Sequence, residues 1–501
     1  MPRIIRQKFL GYLLLLSLAL LPSLLFWDGL WLRFGFRDDY STLREAHEEP
    51  GKLFLFCAAQ GRPIYGILVE STFAELDGIN ALPWARVLGA LSIGIVCAGM
   101  AYLLEKQGWP RRISVASALL LGVLPSAQVV INWGSCWPHA FASALGVIAF
   151  ALSDRGLRDP RPYRRLPWII AGAATLLCGV LVYQPDALLY VVPLAAGFLV
   201  WKRACMRECF SWVAGHVFII CLTLIVAFLL IKGLFILEGF PVSKRVCFEV
   251  DIPGKLLWVL REPLDNAFGL FVLEDTLGRP DAWHRYTGLM VGGVIAFGFI
   301  LQWRREGWRS GLLWIACGVV SCTLAYAVSL LASERWASYR TIYALSGVVV
   351  IFLMRSLWMM GDGAHQLRRH LAFAVMAMLV CIGGFNAAHC SEQLFAMPQH
   401  RELELLEHET ERINPDKAPH VYVILPDPAA TRCELRYLDE YGSLSADTEW
   451  CTKEMITLIL QERFPEEADV ADRVHLSFGY VPAKVPAIYD TVIDLRVLPV
   501  R

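Results

Sequence analysis

Eleven predominantly apolar stretches run through the sequence, at about 9–27, 86–104, 113–131, 139–153, 168–184, 187–201, 212–236, 286–303, 311–332, 341–360 and 371–388. A helix needs about 20 apolar residues to cross the hydrocarbon core of a bilayer. The pattern therefore predicts an α-helical polytopic membrane protein with about eleven transmembrane helices. Only 18% of residues are charged and 56% are hydrophobic, against roughly 25% charged in an ordinary soluble domain. Lys+Arg and Asp+Glu number 46 each. That balance excludes a basic nucleic-acid binder, and the apolar content excludes a disordered chain. Cys97, Cys178, Cys221, Cys317 and Cys381 sit inside apolar runs and read as small buried hydrophobes, with no Cys/His spacing that suggests a metal.

Loop charge sets an expected orientation. Alternate connections carry Lys106, Arg111 and Arg112; Arg155, Arg158, Arg161, Arg164 and Arg165; Lys202, Arg203 and Arg207; Arg304, Arg305 and Arg309; and Arg368 and Arg369. The intervening loops 132–138 and 183–186 carry no Lys or Arg. This predicts a cytoplasmic N-terminus and an external C-terminus. The first span follows Arg3, Arg6 and Lys8 but lacks a convincing cleavage site after Pro22, so it reads as a retained helix rather than a signal peptide. The expected domains are a membrane part, 1–388, with outer loops 28–85 and 237–285, and an external part, 389–501.

Segments 52–59 and 63–73, and a similar piece at 266–273, are amphipathic enough to lie on the membrane surface. The tail reads as a small α/β domain. Helices are expected at 399–412 and 448–463, with Asp447 as N-cap of the second, and strands at 420–425, 474–481 and 491–498. An oxidising compartment would allow a Cys433–Cys451 disulfide, with two buried free thiols as the alternative.

Polar residues at the outer ends of the spans are the candidates for chemistry. Arg37-Asp38-Asp39-Tyr40 follows the first span and puts two carboxylates near the bilayer. Either could serve as general base for a hydroxyl acceptor, and Asp39, beside Tyr40 on the loop side, is the favoured one. Gly61-Arg62-Pro63 opens a surface helix, with Arg62 available to an anion. The uncharged turn Asn132-Trp133-Gly134-Ser135-Cys136-Trp137-Pro138-His139 offers Trp137 and His139, and Tyr183-Gln184-Pro185-Asp186 is a second polar break. Arg335 and Arg340, in 333–340, stand against the positive-inside bias and suggest an anionic partner, with Lys244 and Arg245 adding to the same field.

Taken together these features resemble the GT-C superfamily of integral-membrane glycosyltransferases. Arg37-Asp38-Asp39-Tyr40, Gly61-Arg62-Pro63, Trp137-Pro138-His139 and Tyr183-Gln184 look like the bacterial GtrII-type glucosyltransferases. The layout is also similar to the arabinofuranosyltransferases that glycosylate type IV pilins. The resemblance implies a GT-C-like fold in a bacterial inner membrane and a polyprenyl-phosphate sugar donor. It implies a glycan or pilin acceptor on the periplasmic side, and inverting displacement with Asp38 or Asp39 as base. Arg62, Arg335 and Arg340 would then lie near the donor phosphate. The superfamily is mixed in its use of a divalent metal (Mg or Mn) at the acidic pair, and the sequence leaves this open. Two other readings stay open: a flippase or other transporter of lipid-linked sugars, and a non-catalytic assembly protein. Few ionisable residues mid-span and no repeated halves weigh against the transporter.

Overall fold

A computed structural model describes residues 3–201, 205–240, 247–274, 282–362, 366–426, 440–467, 469–480 and 489–497. Among them, eight helices are long and apolar enough to cross a membrane: Ile79–Gln107, Gly134–Arg158, Tyr163–Val182, Met206–Glu238, Trp283–Glu306, Trp308–Ala325, Tyr343–Gly361 and Gln366–Thr410. The other three expected spans are also helical, but different in kind. Leu10–Leu25 and Gln184–Leu199 are shorter apolar helices. The expected straight span 113–131 is instead a pair, Arg111–Gly122 and Pro125–Asn132, bent by 52°. Pro125 accounts for the break, because it has no N–H to donate and its ring excludes a helical carbonyl one turn back. The first helix packs directly on Ile79–Gln107. A Cβ on Gly94 would lie 1.9 Å from the Ala19 carbonyl oxygen, so only glycine permits that approach.

The turns without positive charge gather at one end of the bundle. There Tyr65 Oη donates to Ser135 O (2.7 Å), Gln184 Nε2 donates to Gly61 O (2.7 Å), and Arg340 lies over Trp133. Basic connections occupy the other end, where Arg158 and Lys106 converge on Asp154 (2.5 and 3.3 Å).

The helix that begins at Gln366 passes through a π-helical turn, Cys390–Ala396, into Met397–Thr410 and the tail. There β1 (His420–Ile424) lies between β2 (His475–Gly479) and β3 (Thr491–Asp494), both parallel to it. Val421 stands opposite Leu476 and Thr491. Parallel strands need a crossover, and the helix Glu449–Arg463 lies in the connection from β1 to β2. The tail matches its expected elements within a few residues, except that the helix N-cap is Thr448, not Asp447. Among the described residues of the second outer loop the helices are Ile252–Arg261 and Pro263–Phe268, so of the expected surface helix at 266–273 only 266–268 is helical.

Tail and first outer loop share one buried apolar cluster. Tyr40, Leu43, Val69 and Phe73 pack with Leu403, Leu406, Val421, Met455 and Ile493. Around it Arg44 grips Glu454 with two parallel bonds (2.5 and 3.0 Å), and Arg33 bridges to Glu407 and Glu462. The tail is thus docked on the same end as the candidate residues.

Candidate functional site

The two adjacent carboxylates face different surroundings. Both lie in the first turn of the Asp38–Glu48 helix, entered through Arg37 at φ +43°, a conformation uncommon for a non-glycine residue. Asp39 is fully buried. Its Oδ2 accepts from Phe36 N (3.0 Å) and Gly134 N (3.2 Å), and its Oδ1 accepts from Ser135 N (2.6 Å). Gly134 suits this contact, since a Cβ there would sit 3.2 Å from Oδ2. Burial pushes Asp39 up to about 6, against the pull of the Phe36 and Ser135 bonds and the Arg86 charge. Asp38 is exposed, and no described residue hydrogen-bonds its carboxylate. So Asp39 pins the Gly134–Cys136 turn to the start of the helix, while Asp38 is the carboxylate open to another molecule. Tyr40 is a packing residue, buried with its hydroxyl accepting from Gly35 N (3.0 Å). Arg37 turns to the tail, where its guanidinium meets Asp447 at 3.6 Å and its amide donates to Ser445 Oγ. This contact draws Asp447 out of its expected capping role.

Arg340 is held between the rings of Trp133 (4.4 Å) and Trp336 (4.5 Å). Its side chain is only 14% exposed. A guanidinium carries five N–H donors, yet among the described residues the polar contacts of this one are few: Nη1 to the Cys136 sulfur at 3.4 Å, and Nε 3.9 Å from Glu440 Oε1. Arg340 thus meets the same Trp133–Cys136 turn that Asp39 holds through the amides of Gly134 and Ser135, and Asp38 precedes Asp39 in the chain. Arg62 is half-buried over Tyr65 (5.2 Å) and Tyr183 (5.5 Å). His139 joins the same aromatic group, 3.7 Å from the Tyr183 ring centroid, with Nδ1 paired to Asp186 Oδ2 at 2.9 Å. His139 Nε2 and Asp186 Oδ1 are buried without a hydrogen-bond partner among the described residues. Trp137 is buried beside Phe141, and Gln184 fixes the Gly61 turn rather than facing open space.

Arg335 is engaged elsewhere, by Glu249 (3.2 Å) and Asp251 (2.9 Å) of the second outer loop. Lys244, Arg245 and Cys433 lie outside the described residues. Cys451 is a buried thiol pointing at Arg37 O (3.6 Å). Asp186, Trp133 and Trp336 belong to turns that stand out in the sequence, but their pairing appears only in space. Glu440, 102 positions from Ser338 and 100 from Arg340, carries no sequence signal.

Asp38 and Asp39 do not form a cradle for Mg or Mn. Both Asp39 oxygens are spent on backbone donors, and among the described residues no three His, Cys, Asp or Glu side chains converge as metal ligands. A polar groove of about 1410 Å³ runs between the Asp38–Glu48 and Glu449–Arg463 helices, with His47, Glu449, Lys453 and Gln461 in its walls.

No family model matches this chain, and no curated protein matches it. Among solved structures it is similar to ArnT from Cupriavidus metallidurans in the apo state, at 12% identity and a TM-score of 0.38, with 82% of each chain covered. That likeness is too loose to bear on function.

Proposed function

We propose that the protein is a GT-C-type glycosyltransferase that moves a sugar from a polyprenyl-phosphate donor to a hydroxyl acceptor at the outer face of the inner membrane. The observation that carries the reading is Arg340. Its guanidinium, only 14% exposed, lies over two Trp rings with most of its donors unspent among the described residues, at the turn held by Asp39, the neighbour of the exposed Asp38. Arg presents a planar fork that fits phosphate oxygens, and a buried unspent donor calls for an acceptor.

In the reaction, the bond between the anomeric carbon and the phosphate oxygen breaks and its electron pair goes to the phosphate. Arg340, with Arg62 nearby, stabilises the charge developing there. The acceptor oxygen bonds to the anomeric carbon from the opposite face, inverting it, and its proton passes to Asp38. Asp39 acts at one remove, holding the Gly134–Cys136 turn against the helix that carries Asp38. No step here uses a metal. Loop charge supports the orientation, with the N-terminus cytoplasmic and the tail periplasmic. The acceptor is a surface glycan or pilin.

Mass spectrometry of surface glycans and pilin, with and without this protein, tests the reading. Loss of a sugar from one of them is expected. Unchanged glycans and pilin would overturn it. A lipid-linked sugar accumulating on the inner leaflet would favour the flippase alternative.

A further inference from the structure

Glu440 belongs to the tail, yet it is buried against the phosphate site proposed above. Ser338 Oγ donates to Glu440 Oε1, and Arg340 Nε lies 3.9 Å from that same oxygen. The carboxylate cannot swing away easily. Tyr441, the next residue, is tied by its hydroxyl to Pro125 O (3.0 Å) and Gln128 Oε1 (3.1 Å), at the bend of the broken span. A fixed carboxylate beside the guanidinium that is to receive a phosphate repels that phosphate, and it does so in proportion to the phosphate's charge.

The two phosphates of the reaction differ in that charge. The sugar donor is a phosphodiester with one negative charge. The released carrier is a phosphate monoester, whose second proton leaves at a pKa of about 6, so that it carries nearly two charges at neutral pH. A site made of Arg alone would hold the spent carrier more tightly than the donor and would be inhibited by its own product.

We propose that Glu440 sets the site's preference for the phosphodiester donor over the phosphate monoester product, and so assists release of the spent carrier. This rests on the reading of Arg340 as the phosphate site. It also gives the tail a part in the reaction beyond packing, because the residue that tunes the site is carried on it.

The test compares two probes, farnesyl phosphate and its methyl diester, by calorimetric titration into the purified full-length protein in detergent at neutral pH. Wild-type protein is expected to bind the diester at least as tightly as the monoester. Glu440→Gln, which keeps shape and hydrogen bonding but removes the charge, is expected to strengthen the monoester by about tenfold more than the diester, the order of one extra charge felt across a few ångströms of screened protein. Glu440→Asp, which keeps the charge, is expected to retain the wild-type order. A monoester bound tenfold tighter than the diester by wild-type protein overturns the proposal, even if Glu440→Gln does not fold. So does an unchanged ratio in a folded Glu440→Gln. Arg340→Gln separates the two readings. If it leaves both probes bound as in wild type, the phosphate-site assignment has failed. If it abolishes both while the Glu440→Gln ratio is unchanged, only the role of Glu440 has failed.

Discussion

Asp39→Asn should change how stability depends on pH. In the folded protein Asp39 titrates at about 6, against an ordinary 3.8. Its folded pKa therefore lies above its unfolded one. The sign follows: ionisation destabilises the fold as pH rises through the window from about 4 to 6, and the penalty is complete above it. From these two values the penalty is about 1 kcal/mol at pH 4.5 and about 3 kcal/mol at pH 7.5. Asn carries no charge at any pH. It offers one oxygen where the carboxylate offers two, so one of the three backbone donors loses its acceptor, at about 1–3 kcal/mol. That loss does not depend on pH. The difference between the variant and wild type should therefore move in favour of the variant by about 2 kcal/mol from pH 4.5 to 7.5. Thermal unfolding of the detergent-purified protein, followed by tryptophan fluorescence, reads it as a relative gain in apparent Tm at the higher pH. All other titrating groups are common to both proteins and cancel. Melting curves whose separation is the same at both pH values would refute the buried Asp39 with a raised pKa.

Arg340→Lys keeps the charge but loses the planar fork and the stacking between Trp133 and Trp336, so donor use should fall by at least tenfold while expression holds. Steady-state transfer in proteoliposomes checks this, and wild-type KM and turnover would remove Arg340 from the site. For orientation, an alkaline phosphatase fusion after Arg412 should be active. An inactive fusion, together with an active cytoplasmic reporter at the same point, would invert the topology and remove the outer-face reaction.

The sequence makes the membrane architecture readable because the length of an apolar run and its flanking charges are local properties. Helix and strand periods make the tail readable for the same reason. What stays hidden depends on contacts between distant segments. The 113–131 run looks uniform in hydropathy, but Pro125 breaks it, and the bend buries all of Pro125–Asn132. Asp447 has the chemistry of an N-cap, but Arg37 claims it from over 400 residues away. The acidic pair is visible in the sequence, and its division of labour is not. Which carboxylate is buried is decided by the amides of Gly134 and Ser135, so the favoured residue of the sequence reading, Asp39, is the tied one and Asp38 the open one. Arg335 and Arg340 look equivalent beside one another, yet Glu249 and Asp251 take up the first, while the two Trp rings hold the second.

The assignment of Asp38 as base is tested most directly by Asp38→Asn. The side chain is exposed and makes no hydrogen bond to a described residue, so its replacement should leave the melting temperature within a degree or so of wild type. General-base assistance is worth about 100- to 10,000-fold in rate. The measurement is the amount of sugar on surface glycans and pilin, by mass spectrometry, in cells carrying wild-type protein, Asp38→Asn at equal membrane abundance, or no protein. Asp38→Asn is expected to leave the acceptor as bare as in cells without the protein. An acceptor modified at the wild-type rate by a folded Asp38→Asn protein would contradict it.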